Sequence, residues 1–515
     1  MADRVILWTR AVPLADSGAA PAVDWFIARD PGFADIVAKG TATAQPERDY
    51  CVKVDAAGLA ADSRYYYRFE SGAARSPVGR TRTLPSGAVD EISLAVMSCS
   101  NLPWGYFNAY RALARRDDIA AMVHLGDYIY EYERGRYASA TIEALGRQVS
   151  PPGETISLAD YRTRYATYRR DADLQAAHAA HPMIAVWDDH ESTNDGWMDG
   201  AENHNEGEGD WADRKAASRQ AWLEWLPVRE TGDTAAGRIY RQFDLGDLAS
   251  LIMLDTRLIG RDRQWDYRQD LALDPKAGPQ AMAAAVARFR AEKLDRADRS
   301  LLGEPQEAWL AQALAASKAR GQIWQVIGQQ VVVGTMRSPE ALAAMVDPAK
   351  PGLASIDALR YFGLLSRLGL PFNLDAWDGY PAARARMLDA GLDHANNLLT
   401  LSGDTHNAWA FRLPRKGRLA GVDLATHSIS SPGMEYYLNA PPAALAKALV
   451  DTNPDLLWAN THNRGYLTVT LRRDQALARW WALSSVTDKN FNESLLQSLM
   501  VTPAQGPGLG SVALG

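Results

Sequence analysis

Six short apolar runs, at residues 92–97, 119–125, 183–187, 249–254, 322–328 and 397–401, are separated by long segments of helical character. Runs of that length fall far below the twenty or so apolar residues of a membrane span, and without polar alternation they suit strands covered on both faces. The segments between them, such as 281–300, rich in Ala, Arg, Glu and Lys, and 210–226, supply the covering helices. The expected fold class is therefore α/β, a layered β-sheet core with flanking helices. At 515 residues the chain exceeds one ordinary core, so a second unit is expected.

That unit lies at the N-terminus. Residues 1–86 read as short alternating strands, RVILWTRAV, VDWFIARD, IVAKGTATA, DYCVKVDAAGL, RYYYRFES and VGRTRTLP. In 49–54, Tyr50, Val52 and Val54 point one way and Cys51 and Lys53 the other. The stretch 59–65 matches a tyrosine corner, so a small fibronectin III or immunoglobulin-like β-sandwich is expected. A Pro, Ser and Gly-bearing linker at 83–91 leads into the main domain, 87–495, and the Gly and Pro-rich residues 496–515 read as a tail.

The net charge of -7, without a Lys/Arg cluster, argues against a nucleic-acid partner. Two cysteines, Cys51 and Cys99, build no disulfide framework. Either they form one bridge, or Cys51 is buried in the sandwich far from Cys99, which is the expectation. The opening MADRVILWTR has no basic segment ahead of a long apolar one, so no leader is expected in it. Oligomeric state leaves no trace in the sequence.

Ligands of open α/β sheets bind outside the carboxyl ends of the strands, so the residues after each run matter most. After 92–97 comes Ser98-Cys99-Ser100-Asn101, and after 119–125 comes Gly126-Asp127-Tyr128-Ile129-Tyr130-Glu131. After 183–187 comes Asp188-Asp189-His190-Glu191, and after 397–401 comes Ser402-Gly403-Asp404-Thr405-His406. Each has an ordinary explanation, since Asp favours turns and a lone Cys is usually a small buried hydrophobe. Together they bring thiol, phenol, carboxylates and imidazole to one sheet edge.

No G-x-S-x-G elbow is present, and acids outnumber bases, so a serine nucleophile is not indicated. The set suits metal ions: carboxylate and phenolate oxygens for iron, manganese, calcium or magnesium, with Cys and His extending it to iron or zinc. Paired cations can hold a phosphoryl oxygen and activate hydroxide, as phosphate ester hydrolysis requires. His190 is a candidate to protonate the leaving alkoxide or to orient a ligand, and Asn101 a candidate donor to a phosphate oxygen. His178 and His181 have helical spacing but no further ligand nearby, so packing roles are expected. The competing classes are an iron redox protein and a surface binding module carried by the sandwich.

At these motifs the chain resembles the PhoD-like alkaline phosphatases, a branch of the calcineurin-like metallophosphoesterases. GDYIYEY, WDDHE and SGDTH carry the likeness, with SCSN ahead of them and VILWTR opening the sandwich, and it runs from Arg4 to about Tyr466. The resemblance implies metal-dependent hydrolysis of small phosphate esters, mono- or diesters, with phosphotriester or phospholipid cleavage as the alternative on the same site. It implies Cys99, Asp127, Tyr130 and His406 as ligands of an iron, ferric in state, and Asp127 as the bridge to a calcium completed by Asp189 and Asp404. Zinc, manganese or magnesium are the expected substitutes. Asp423 falls where the family has an acidic residue associated with a further calcium, for which Asn194 is a second candidate. A periplasmic or secreted location is also implied.

Overall fold

Alternation in the N-terminal region resolves into two small antiparallel sheets. The computed structural model describes residues 1–13, 20–138, 142–274, 276–350 and 352–515. Arg4–Arg10 pairs with Cys51–Ala57, while Ala22–Ala28 lies between Ile36–Thr43 and Arg64–Ser71, which also pairs with Ala74–Arg75 and Gly79–Arg82. Leu7, Val23, Ile27, Val52, Val54 and Phe69 fill the space between them. The tyrosine corner is present: the Ala60 amide donates to the Tyr65 hydroxyl at 2.9 Å.

Cys51 departs from expectation. It is buried, but against the main core beyond the sandwich, and Lys53 on the same face donates to the carbonyls of Leu223 and Val228. The outer face of this strand is thus a domain seam, which alternation alone cannot tell from solvent. Both cysteines are free thiols, so the bridge is excluded.

The main domain contains two seven-stranded sheets. In the first, Met183–Ala185, Ala121–His124 and Glu91–Met97 run parallel, followed by antiparallel Arg464–Arg472, Ala476–Leu483, Glu493–Val501 and Val512–Leu514. In the second, Ala249–Met253, Trp324–Gly328, Asn397–Ser402 and Arg418–Ala425 are parallel neighbours, flanked by antiparallel Arg241–Leu245 on one side and by Ala408–Arg415 and Leu456–Asn460 on the other. All six apolar runs are strands.

One core joins the facing sheets, with Leu94, Val96 and Val469 from the first and Val326, Leu401 and Leu424 from the second. Trp480 Nε1 donates across the gap to the Ala425 carbonyl at 2.9 Å. Outside the second sheet, helices Glu304–Ala319 and Pro381–His394 bury Leu310, Leu314, Met387 and Leu392 on Ile327 and Leu398. No helix among the described residues is long and apolar enough to cross a membrane.

The expected tail at 496–515 is corrected by two strands, Glu493–Val501 and the edge strand Val512–Leu514. Glycine and proline describe only the loop between them. The strand itself is largely exposed on one face, so its apolar content is diluted and a composition reading passes over it.

Candidate metal centre

Where the parallel strands end, their loops are stitched together by backbone. The Cys99 amide donates to the Gly126 carbonyl at 3.1 Å, Ser100 to Asp127 at 2.8 Å, and Ile429 to Ser98 at 2.9 Å. The turns are tight: Cys99, Asp127, Asp404 and His406 all have left-handed backbone, with φ of 62°, 56°, 65° and 63°. That conformation costs a non-glycine residue about 1–2 kcal/mol, and such strain gathers where side chains must be aimed. Gly126 (φ 111°) is required, since a Cβ there would stand 2.4 Å from Asp188.

Aimed this way, ligand atoms of Cys99, Asp127 and His406 lie within 4.8 Å of one another. The same holds for Asp127, Asp189 and His190, and for Asp188, Asp189 and Asp404, so Asp127 and Asp189 are shared between neighbouring groups. The Tyr130 hydroxyl is 3.0 Å from both Asp127 Oδ2 and His406 Nε2 and accepts from Ser431 Oγ at 2.7 Å. His406 Nδ1 donates to the Pro432 carbonyl at 2.6 Å, which leaves Nε2 as the nitrogen turned to the cluster.

The electrostatics are those of a buried, carboxylate-rich pocket. Burial, and then Asp127, push the Cys99 thiol and the Tyr130 phenol well above their ordinary ranges. Burial also raises Asp127 and Asp404 strongly, and lifts Asp188 to about 7 despite Arg257. Burial opposes charge on His190, but Asp189, Glu131 and Asp127 override it and hold the imidazolium well above the histidine range. Asp127 Oδ1 and Asp188 Oδ2 are buried with no hydrogen-bond partner among the described residues. Orphaned carboxylate oxygens beside a thiol, a phenol and an imidazole fit cations.

Other groups at this rim follow less obvious signals. Glu191 accepts from the amides of Tyr128 (2.7 Å), Asp188 (2.8 Å) and Asp127 (3.0 Å), tying two motifs together. Glu131 Oε2 holds His190 Nδ1 at 2.7 Å. Arg257, fully buried, pairs with Asp188, with Asp375 at 2.8 Å and with Asp404 at 3.1 Å. Sequence reasoning missed Arg257 although it follows the apolar run 249–254, where the strand-end rule reaches it; Asp375 carries no such signal.

Three expected site residues make other contacts. Asp423 is corrected: Oδ2 accepts from the amides of Val333 (2.7 Å) and Gly334 (3.2 Å), and Oδ1 from Thr400 (2.8 Å) and Ser402 (2.5 Å). Four protein donors saturate this carboxylate, which clamps neighbouring strands instead of facing a cation. Asn194 donates its side-chain amide to Glu202 at 3.0 Å. Asn101 uses its carboxamide oxygen to accept from the Trp104 amide at 3.1 Å, the local turn role of an Asx residue. His178 and His181 bond to the Tyr128 hydroxyl and the Leu113 carbonyl.

Comparison with known proteins agrees with this fold. The PhoD-like phosphatase profile matches residues 94–480, and that of the PhoD-like phosphatase N-terminal domain matches residues 1–85. Alkaline phosphatase D of Bacillus subtilis (strain 168) is 33% identical over 508 residues, covering 95% of this chain and 76% of that protein. A solved structure of PhoD superposes with a TM-score of 0.78 at 31% identity, covering 99% of this chain and 90% of that one. Sandwich and double sheet thus recur together in a solved relative, and the chain belongs to the PhoD-like phosphatase family of phosphoric ester hydrolases.

Proposed function

We propose that the protein is a metal-dependent phosphoesterase that hydrolyses small phosphomonoesters and phosphodiesters. The observation that carries this reading is the convergence of Cys99, Asp127 and His406 within 4.8 Å, sharing Asp127 with a second group containing Asp189. Cys99, Asp127, Tyr130 and His406 would hold an iron-class cation, the phenolate oxygen favouring ferric iron. Asp127, Asp189 and Asp404, oxygen donors alone, would hold a calcium-class cation. Such cations, when bound, supply Lewis-acid stabilisation of phosphoryl charge and lower the pKa of water.

The chain's own residues do the rest. Glu131 fixes His190 through Nδ1 and, behind Asp189 and with Asp127, keeps it charged, so Nε2 carries the proton delivered to the leaving alkoxide. Arg257 spaces Asp188, Asp375 and Asp404, preventing their mutual repulsion from spreading the rim. Tyr132 and Tyr137 pack beside His190, with ring centroids 5.3 and 6.4 Å away, and wall one side of the approach. A placement of His190 among the ligands of the second cation has its own support, because one of its nitrogens lies within 4.8 Å of Asp127 and Asp189 oxygens. A periplasmic or secreted setting is part of the proposal.

The test is element-resolved metal analysis of protein purified without chelators, together with turnover of bis(p-nitrophenyl) phosphate and p-nitrophenyl phosphate. Iron and calcium with turnover of either ester are expected, and Tyr130→Phe should remove the phenolate part of the visible charge-transfer absorption and leave the thiolate part. Full metal occupancy with neither ester cleaved would overturn the reading.

A further inference from the structure

A cavity of about 380 Å³ lies at the other rim of the sheet, between the sandwich and the main domain. Ala121, Pro182 and Met183, where two parallel strands begin, form one wall. The catalytic motifs follow the far ends of those same strands, so the cavity is separate from the rim of Cys99 and Asp127.

Among the described residues its lining is basic, with Asp233 the sole acid against seven arginines. Most of those arginines are neutralised from outside the cavity: Arg80 by Asp117, Arg82 by Asp62, and Arg229 by Asp55 at 2.8 Å. Arg169 and Arg241 differ, having no carboxylate partner among the described residues. Arg241 donates to the carbonyls of Ile239 (2.8 Å) and Ala185 (2.6 Å), and burial, with Arg229 nearby, pushes it down to about 10. Arg169 donates to the Tyr128 hydroxyl at 3.2 Å and stacks over Trp8 at 4.1 Å. Half-buried guanidiniums without a counter-charge favour an anion that enters beside them.

Much of the rest of the lining is apolar, with the flat rings of Trp8, Phe243, Tyr240 and Trp309 among it, alongside the polar His178, His181 and Gln242. Two uncompensated guanidiniums match a dianion, their planar donors match phosphate oxygens, and the aromatic walls match a ring. We propose that this cavity binds a phosphate monoester bearing a flat apolar substituent, its head held by Arg169 and Arg241 and its ring against Trp8 and Phe243. The site is independent of the catalytic reading.

Phenylphosphonate, which has no ester bond to cleave, is the probe, titrated calorimetrically into the holoenzyme. Two sites per chain are expected in the wild type and one in Arg241→Gln and in Arg169→Gln, with turnover of the chromogenic ester unchanged. Methylphosphonate should bind the arginine-dependent site roughly tenfold more weakly, for lack of the ring. Ile6→Trp, which fills the cavity and removes no charge, should also leave one site, so a poorly folded arginine variant does not decide the matter. A wild type whose number of sites is lowered by none of the three variants, or an arginine-dependent site with equal affinity for both phosphonates, would overturn the proposal. An enzyme without turnover that still shows the arginine-dependent site separates failure of the catalytic reading from failure of this one.

Discussion

At their carboxyl ends the parallel strands release Cys99, Asp127, Asp404 and His406 into left-handed turns, and acidic groups gather there in a burial that resists their ionisation. At their amino ends the same strands begin on Ala121 and Met183, in ordinary extended backbone, beside arginines. The difference teaches how a sheet divides its work: backbone strain is spent where side chains must converge, and the opposite rim, free of it, holds a domain seam. A second contrast lies within the carboxylates. Asp423 and Asp127 are equally buried, yet Asp423 has four protein donors while Asp127 Oδ1 has none. Burial therefore does not mark a ligand; unmet acceptor capacity does.

The sharpest way to break this contrast is to exchange the fate of the two aspartates. Asp127→Asn should lower kcat for a chromogenic phosphoester on the order of 10³-fold and reduce bound metal measured on the same sample. Retained turnover would remove Asp127 from the centre of the argument. Asp423→Ala should instead leave metal content unchanged and destabilise the fold by about 2–5 kcal/mol in denaturant unfolding, because it strands two buried amides and two hydroxyls. Loss of one metal equivalent in that variant would restore the third site.

Removal of the carboxylate behind His190 is the next test. Glu131→Gln should lower kcat about 10–100-fold and shift the alkaline limb of the pH–rate profile to lower pH. The sign follows from the imidazolium, which Asp189, Glu131 and Asp127 hold above the histidine range against burial: with one acid neutralised, the proton is lost at lower pH. An unmoved alkaline limb would take His190 out of proton transfer. The smallest effect belongs to the sandwich, where Tyr65→Phe should cost about 1 kcal/mol by thermal unfolding and leave kcat unaltered, since it deletes the hydrogen bond to the Ala60 amide alone.

Much of the rim was legible because each motif follows directly on a buried run: strand ends in an α/β sheet point to one edge, and the polar residues there need no long-range information to be noticed. Arg257 obeys the same rule but is a cation among acids, and Asp375 lies in a loop whose local pattern carries nothing. Asp423 shows the limit of family likeness. Its position matches, but Thr400 and Ser402 on the adjoining strand supply donors that only the pairing of Thr400 with Asp423 brings into reach.

The sequence alone determined the layered α/β class, the N-terminal sandwich with its tyrosine corner, and the four motifs at the strand ends, because hydrophobic period and turn chemistry are local properties. Tertiary structure decided which carboxylates are saturated, that Cys51 faces a seam, that residues 493–501 complete a sheet, and that Arg169 and Arg241 share a cavity. Those outcomes depend on partners far away in the chain, and satisfaction of a buried polar group is a property of the pair that meets.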